Sequence, residues 1–227
     1  MPTVLITGAN RGLGLEFARQ YAADGWSVIA TCRDPVNPGE LATIAGDIEV
    51  HSLDVTDGRA VERLADNLKG RAIDVLVHNA GVMGPRRLAL DALDYDAWAE
   101  VMRVNMMAPV RVCACFADHV AGSDMKKIAV LSSKMGSIDD NTSGGSYIYR
   151  TSKAGLNAAM KSVAHDLGGK GIAVAILHPG WVRTDMGGPN GLIDPPESIT
   201  GMRRVIENLT LETSGGFFNY DGRPIPW

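Results

Sequence analysis

Residues 3–22 read TVLITGANRGLGLEFARQYA, and the fold turns on how this stretch is read. TVLIT (3–7) is a short run rich in β-branched residues, which suits a strand buried on both faces. The chain then turns at Gly8 and enters an amphipathic helix near Gly12. Gly8, Gly12 and Gly14 fall in the turn and the first helical turn, where missing side chains let a ligand approach the backbone. A helix N-terminus offers free N–H groups and a partial positive charge, which suits a pyrophosphate. A phosphate loop of the Gly-Lys-Ser/Thr type is excluded, because the stretch contains no lysine.

Further along, the same alternation repeats. SVIAT (27–31), IEVHSL (48–53), IDVLVHN (73–79), KIAVLSS (127–133) and IAVAILHP (172–179) read as strands, and GGFFNYDG (215–222) as a last strand at the edge. Helical stretches are expected near 12–24, 57–69, 94–121 and 149–168. Strand–helix repeats predict a doubly wound α/β fold with a mainly parallel, seven-stranded sheet and helices on both faces. No internal repeat or linker divides the chain, so residues 1–227 are expected to form one dinucleotide-binding Rossmann domain. Turn-rich segments at 139–146 and 186–198 follow strands. In such sheets function collects beyond the strands' carboxyl ends, so substrate loops are expected near 134–148 and 184–200.

Bulk composition fits a globular protein, with 45% hydrophobic and 21% charged residues. A net charge of −4 argues against sequence-independent nucleic-acid binding, which needs Lys and Arg to neutralise phosphates. Cys32, Cys113 and Cys115 are too few and too irregular for a disulfide framework or a metal site, which points to a reducing compartment. The N-terminus lacks a basic segment followed by a long apolar run, and no apolar run approaches the ~20 residues of a membrane span. The expected location is the cytoplasm.

SYIYRTSK (146–153) holds two tyrosines ahead of Lys153. Tyr149 and Lys153 are four apart and would be neighbours on a helix. That spacing alone does not say whether Tyr149, Tyr147 or neither is reactive.

The glycine turn TGANRGLG (7–14) resembles the Thr-Gly-x-x-x-Gly-x-Gly signature of short-chain dehydrogenases/reductases. HNAG (78–81) is similar to that family's Asn-Asn-Ala-Gly element, with His78 in place of the usual first Asn. LSS (131–133) supplies a serine after the fifth strand, with Ser133 the better match. Tyr149-x-x-x-Lys153, the Pro-Gly of HPGWVRT (178–184) and Asn105 follow in family order. The C-terminal half resembles more narrowly the C-factor and sniffer-like carbonyl reductase branch.

The resemblance implies that Tyr149 donates a proton to a substrate carbonyl while a nicotinamide donates hydride to its carbon. Ser133 would hold the carbonyl oxygen, Lys153 would favour the phenolate and bind the nicotinamide ribose, and Asn105 would position a water leading to Lys153. It implies cofactor contacts at Gly8, Asn10, Arg11, Gly12, Leu13, Gly14, Arg33, Asp54, Val55, Asn79, Ala80, Gly81, Tyr149, Lys153, Pro179, Gly180, Val182 and Thr184. His78 receives no catalytic role. Ser133 and Tyr149 are separated by a somewhat long interval for this family, so the pocket's shape is left open. Trp98, Met135, Tyr147, Trp181 and Met186 are candidates for an apolar pocket.

The place where NAD-preferring folds carry an acid, at the end of the second strand, falls on Cys32. Arg33 follows, Arg11 lies in the glycine turn, and Asp34 precedes Pro35 and begins a turn. Two guanidinium groups suit a 2′-phosphate, so NADP(H) is expected over NAD(H). The expected partners are a small carbonyl or alcohol substrate and a second or further copies of the chain, as a homodimer or homotetramer through helices 94–121 and 149–168. The competing reading is a non-catalytic dinucleotide-binding signalling protein of C-factor type.

Overall fold

All seven of the expected strand runs pair in parallel, the last of them at one edge. The computed structural model describes residues 1–86 and 88–227. Its strands are β1 (Thr3–Thr7), β2 (Ser27–Cys32), β3 (Ile48–Ser52), β4 (Val75–His78), β5 (Lys127–Leu131), β6 (Ala173–His178) and β7 (Gly216–Asn219). They form one sheet in the order β3-β2-β1-β4-β5-β6-β7, and every pairing is parallel.

The helices are α1 (Gly12–Ala23), α2 (Gly58–Asn67), α3 (Tyr95–Met102), α4 (Ala108–Ala121), α5 (Tyr147–Gly168) and α6 (Pro195–Glu207). The strand period of two sorts the sheet's side chains into two cores. Leu5, Leu76, Ile128 and Ile176 face α2, α4 and α5. Val4, Ile6, Val77 and Leu177 face α1 and α6. Both faces are therefore covered, which is why the strands are apolar throughout. The strand order reverses between β1 and β4, and in such sheets ligands bind outside the carboxyl ends at that point.

The helices depart from the sequence expectation in three places. Segment 94–121 is not one regular helix: a π-turn at Arg103–Met107 lies between α3 and α4. Helix α5 begins at Tyr147 rather than at Tyr149, after Ser146 in the left-handed region (φ 48°). Helix α6, which was not expected, begins inside the segment 186–198 that reads as loop, because Pro195 and Pro196 resemble breakers. Both prolines sit in the first turn, where the missing N–H has no intrahelical partner to lose.

Several apolar residues of helices 94–121 and 149–168, through which self-association is expected, do not lie at the surface. Val101, Leu156 and Met160 are buried in the subunit's own interior, whereas Met107 is exposed. No helix among the described residues is long and apolar enough to cross a membrane.

Candidate active site

The glycine turn is built against the chain that leaves β4. Gly8 and Gly12 have φ values of 66° and 55°, in the region glycine tolerates best. Gly14 is required for contact: a Cβ there would lie 2.2 Å from the Gly8 carbonyl oxygen and 2.5 Å from Asn79 Nδ2. The Asn79 amide donates to the Thr7 and Gly8 carbonyls at 3.1 and 2.8 Å. The Asn79 and Ala80 backbone N–H groups both donate to Thr7 Oγ1 at 3.1 Å. This fixes the β1 and β4 ends together and leaves the N-terminus of α1 without a side-chain cap, open at the switch point. Thr184 approaches from the far side, its Cγ2 lying 3.9 Å from where a Gly12 Cβ would stand. A cradle that side chains would fill, with free N–H groups at its floor, fits a dinucleotide pyrophosphate.

Other expected cofactor residues are distributed around this turn. Asp54 follows β3 and accepts from Thr56 N at 2.9 Å and Thr56 Oγ1 at 2.7 Å, bonds that hold its carboxyl below the ordinary range. Val55 is buried beside it. Leu13 packs on the α1 side of the sheet. Arg11 is exposed and stands 3.8 Å from Asp185. Gly180 has φ 84°, and a Cβ there would press on Ile193 and Tyr220. The Pro179 carbonyl accepts from Ser198 Oγ at 2.6 Å, which ties this turn to α6. Val182 is buried and bridges to Ile193. Asn10, half-buried, lies in the glycine turn itself.

Beyond β5 the two serines separate in role. Ser132 Oγ donates to Asn157 Oδ1 at 2.5 Å and is a buried strut. Ser133 accepts from Met135 N at 3.2 Å and stands close enough to Tyr149 to draw its phenol pKa down. Tyr149 lies in the first turn of α5, and Lys153 one turn later donates to the Leu131 carbonyl at 2.9 Å. Burial is the largest influence on both groups. It pushes the Tyr149 phenol up, with Ser133 and then Arg86 opposing, and lowers the Lys153 ammonium to about 8. The electrostatic help for Tyr149 thus comes from Ser133 and from Arg86, a residue that no sequence motif marks.

Asn105 is buried within the π-turn. Its Oδ1 accepts from Val82 N at 2.9 Å, and its Nδ2 donates to Val82 O at 2.8 Å and Ser152 Oγ at 3.0 Å. Its side chain therefore holds the loop after β4 onto α5. Gly81 completes the junction, since a Cβ there would lie 3.3 Å from Asn105 Oδ1 and 3.7 Å from Lys153 Nζ.

His78, at the end of β4, is buried, and neither ring nitrogen has a hydrogen-bond partner among the described residues. Burial, with Lys153 adding to it, lowers its pKa to about 3, so it is neutral.

At the mouth, Pro85, Leu88, Leu93, Ser146, Tyr147 and Ile148 line a small depression. Trp181 and Met186 are exposed nearby in sequence on the loop after β6. Trp98 is engaged elsewhere, stacking on Tyr95 and donating from Nε1 to Thr151 Oγ1 at 2.8 Å.

Known proteins with this arrangement are numerous. The sequence profile described as short chain dehydrogenase matches residues 2–191. The chain is 43% identical to the C-signal protein of Myxococcus xanthus over 163 residues, covering 72% of this chain and 98% of that protein. It is 36% identical to 1-hydroxy-2-glutathionyl-2-methyl-3-butene dehydrogenase of Rhodococcus sp. over the whole of both chains. Among solved structures, the carbonyl reductase Sniffer of D. melanogaster superposes with a TM-score of 0.92 at 34% identity, with both chains fully covered. The chain belongs to the short-chain dehydrogenase/reductase family. It is accordingly an oxidoreductase fold with a nicotinamide dinucleotide site, and within the family it is similar to the C-factor and Sniffer-like carbonyl reductases.

Proposed function

We propose that this protein is an NADPH-dependent reductase of small ketones or aldehydes, running in reverse as an alcohol dehydrogenase. The observation that carries the reading is the buried Tyr149, with Ser133 beside it and Lys153 one helical turn away, at the carboxyl ends of the same strands that carry the glycine turn. The bound nicotinamide supplies hydride to the carbonyl carbon. Ser133 donates to the carbonyl oxygen and holds it, and Tyr149 gives its proton to that oxygen as charge develops there. Lys153, softened to about 8 by burial, is poised to pass a proton back to the phenolate at near-neutral pH. Asn105 keeps the loop after β4 in place against α5.

NADPH is favoured over NADH by the end of β2. The strand ends at Cys32, and the Asp34 oxygens are occupied by Val36 N, Asn37 N and Asn37 Nδ2. Arg33 is exposed and pairs with no acid among the described residues, which leaves it free for a 2′-phosphate. A carbonyl reductase from chicken fatty liver, solved with NADPH bound, superposes with a TM-score of 0.91 at 32% identity, each chain being covered by 99% or more.

Residues 1–227 act as one domain, in which 134–148 and 184–200 wall the substrate site. The enzyme works in the cytoplasm as a homodimer or homotetramer, pairing through the outer faces of α4 and α5. The alternative, a C-factor-type signalling protein, draws on the identity with C-signal, but a pure sensor has little use for a buried serine, tyrosine and lysine in this arrangement. A panel of carbonyl compounds followed by loss of NADPH absorbance tests the proposal. Turnover that disappears in Tyr149→Phe supports it, and binding of NADPH without turnover of any carbonyl would favour the sensor.

A further inference from the structure

The loop between β4 and α3 is held down firmly at its start. Asn105 clamps both backbone groups of Val82. At Gly84 (φ 70°) a Cβ would lie 2.6 Å from Val101 Cγ2 and 3.5 Å from Ile148 Cγ2, so the loop lies directly on the first turn of α5, beside Tyr149. Two residues later Arg86 reaches across the mouth, and its Nη2 donates to the Met186 carbonyl of the loop after β6.

That carbonyl is a neutral acceptor. Arg86 forms no ion pair with an Asp or Glu among the described residues, whereas Lys134 and Arg183, on the other loops of the site, are neutralised by Asp140 and Asp194. Arg86 is also the charged side chain whose field reaches the Tyr149 phenol. An arginine has five N–H donors in a fixed fork, and one bond to a carbonyl leaves most of them unused.

We infer that Arg86 is the substrate's anion anchor, and that the carbonyl compounds this enzyme prefers carry a carboxylate or a similar oxyanion at the end remote from the reacting carbon. The inference rests on the reductase reading and adds the class of substrate to it. A guanidinium binds a carboxylate through paired N–H bonds, which fixes orientation as well as adding affinity. The apolar body of such a substrate would rest against Pro85, Leu88 and Tyr147.

The test compares 4-carboxybenzaldehyde with its neutral methyl ester, methyl 4-formylbenzoate, in the wild type, Arg86→Lys and Arg86→Ala. The expected ratio of kcat/KM, acid over ester, is about tenfold or more in the wild type, the size of one charge-assisted hydrogen bond. It should fall part-way in Arg86→Lys and approach one in Arg86→Ala, mostly through KM. An unchanged NADPH dissociation constant in Arg86→Ala assigns the anion to the substrate, and a tenfold weaker one would assign Arg86 to the cofactor's phosphates and overturn the inference. A wild-type ratio near one, or a ratio unaffected by Arg86→Ala, would reduce Arg86 to a strap between two loops and overturn it as well. If neither aldehyde is reduced, the reductase reading is what fails. Calorimetric titration of benzoate into the protein with NADP+ then decides the anchor on its own: binding weakened about tenfold in Arg86→Ala supports it, and equal binding overturns it.

Discussion

The Lys153 ammonium lies 5.8 Å from the centre of the Tyr149 ring. Its hydrogen bond goes to a strand carbonyl, and Ser133 is the neighbour that most opposes the upward push of burial on the Tyr149 phenol. Burial, the largest influence, holds the phenol above the ordinary tyrosine range, which suits the proton-donor role proposed for Tyr149. Tyr149→Phe is expected to lower kcat by at least about 100-fold while leaving the NADPH dissociation constant within a factor of a few. Tyr147→Phe, at the first position of α5, should change kcat less than about threefold, the order of a lost weak contact. Single-turnover kinetics and a cofactor titration on both variants check the pair, and the opposite pattern would mean that the wrong tyrosine has been placed at the reacting oxygen.

Arg33 stands where β2 ends, with Asp34 folded into its own turn. Arg33→Ala should lower the ratio of kcat/KM for NADPH over NADH by about tenfold or more, which is the scale of one arginine–phosphate contact. Steady-state kinetics with both cofactors measure it. A wild-type enzyme that uses the two equally well would refute the assignment.

His78 makes stability depend on acid. Its pKa is about 3 in the folded protein and ~6.5 when unfolded. Between those values the unfolded chain binds the extra proton, so stability falls as the pH drops through this window. His178, lowered by burial to about 4, acts in the same direction. His78→Asn should move the acid unfolding midpoint to lower pH and flatten the curve between pH 3 and 6.5 without abolishing its slope, as followed by circular dichroism.

Gly14 is the tightest test of the glycine turn. Gly14→Ala forces a methyl group against Gly8 and Asn79 and should destabilise the protein by the upper end of ~1–3 kcal/mol, with weakened dinucleotide binding. Gly168→Ala, at the end of α5 with nothing within 4 Å of the added carbon, should be neutral or stabilising by up to ~1 kcal/mol. Chemical denaturation of both variants makes the comparison.

The sheet was legible because its strands are buried on both faces and therefore spell uninterrupted apolar runs. The glycine turn was legible from its spacing between a strand and a helix, whereas Ser133 and Tyr149 were singled out only by the family resemblance, since the Tyr-x-x-x-Lys spacing alone does not choose between the two tyrosines. Helix α6 was not, since prolines that punctuate loops also open helices. Arg86 and the Thr7–Asn79 clamp arise from chain segments brought together only by folding, and neither has a local pattern. Val101, Leu156 and Met160 could be read as core or as interface, because a helix pattern marks an apolar face without saying what covers it.

The π-turn at Arg103–Met107 has a bearing on chain length. Its π geometry closes hydrogen bonds five residues apart where an α-helix closes them four apart, and the one-residue surplus is absorbed locally, where Asn105 reaches Val82 and Ser152. Deleting a single residue from this segment would let the turn close as ordinary α-helix and would draw Asn105 away from the loop after β4. Such a shortened chain should make the better helix and the poorer catalyst. Fold quality and turnover pull against each other at one peptide unit, and selection for heat resistance alone would be expected to erase it.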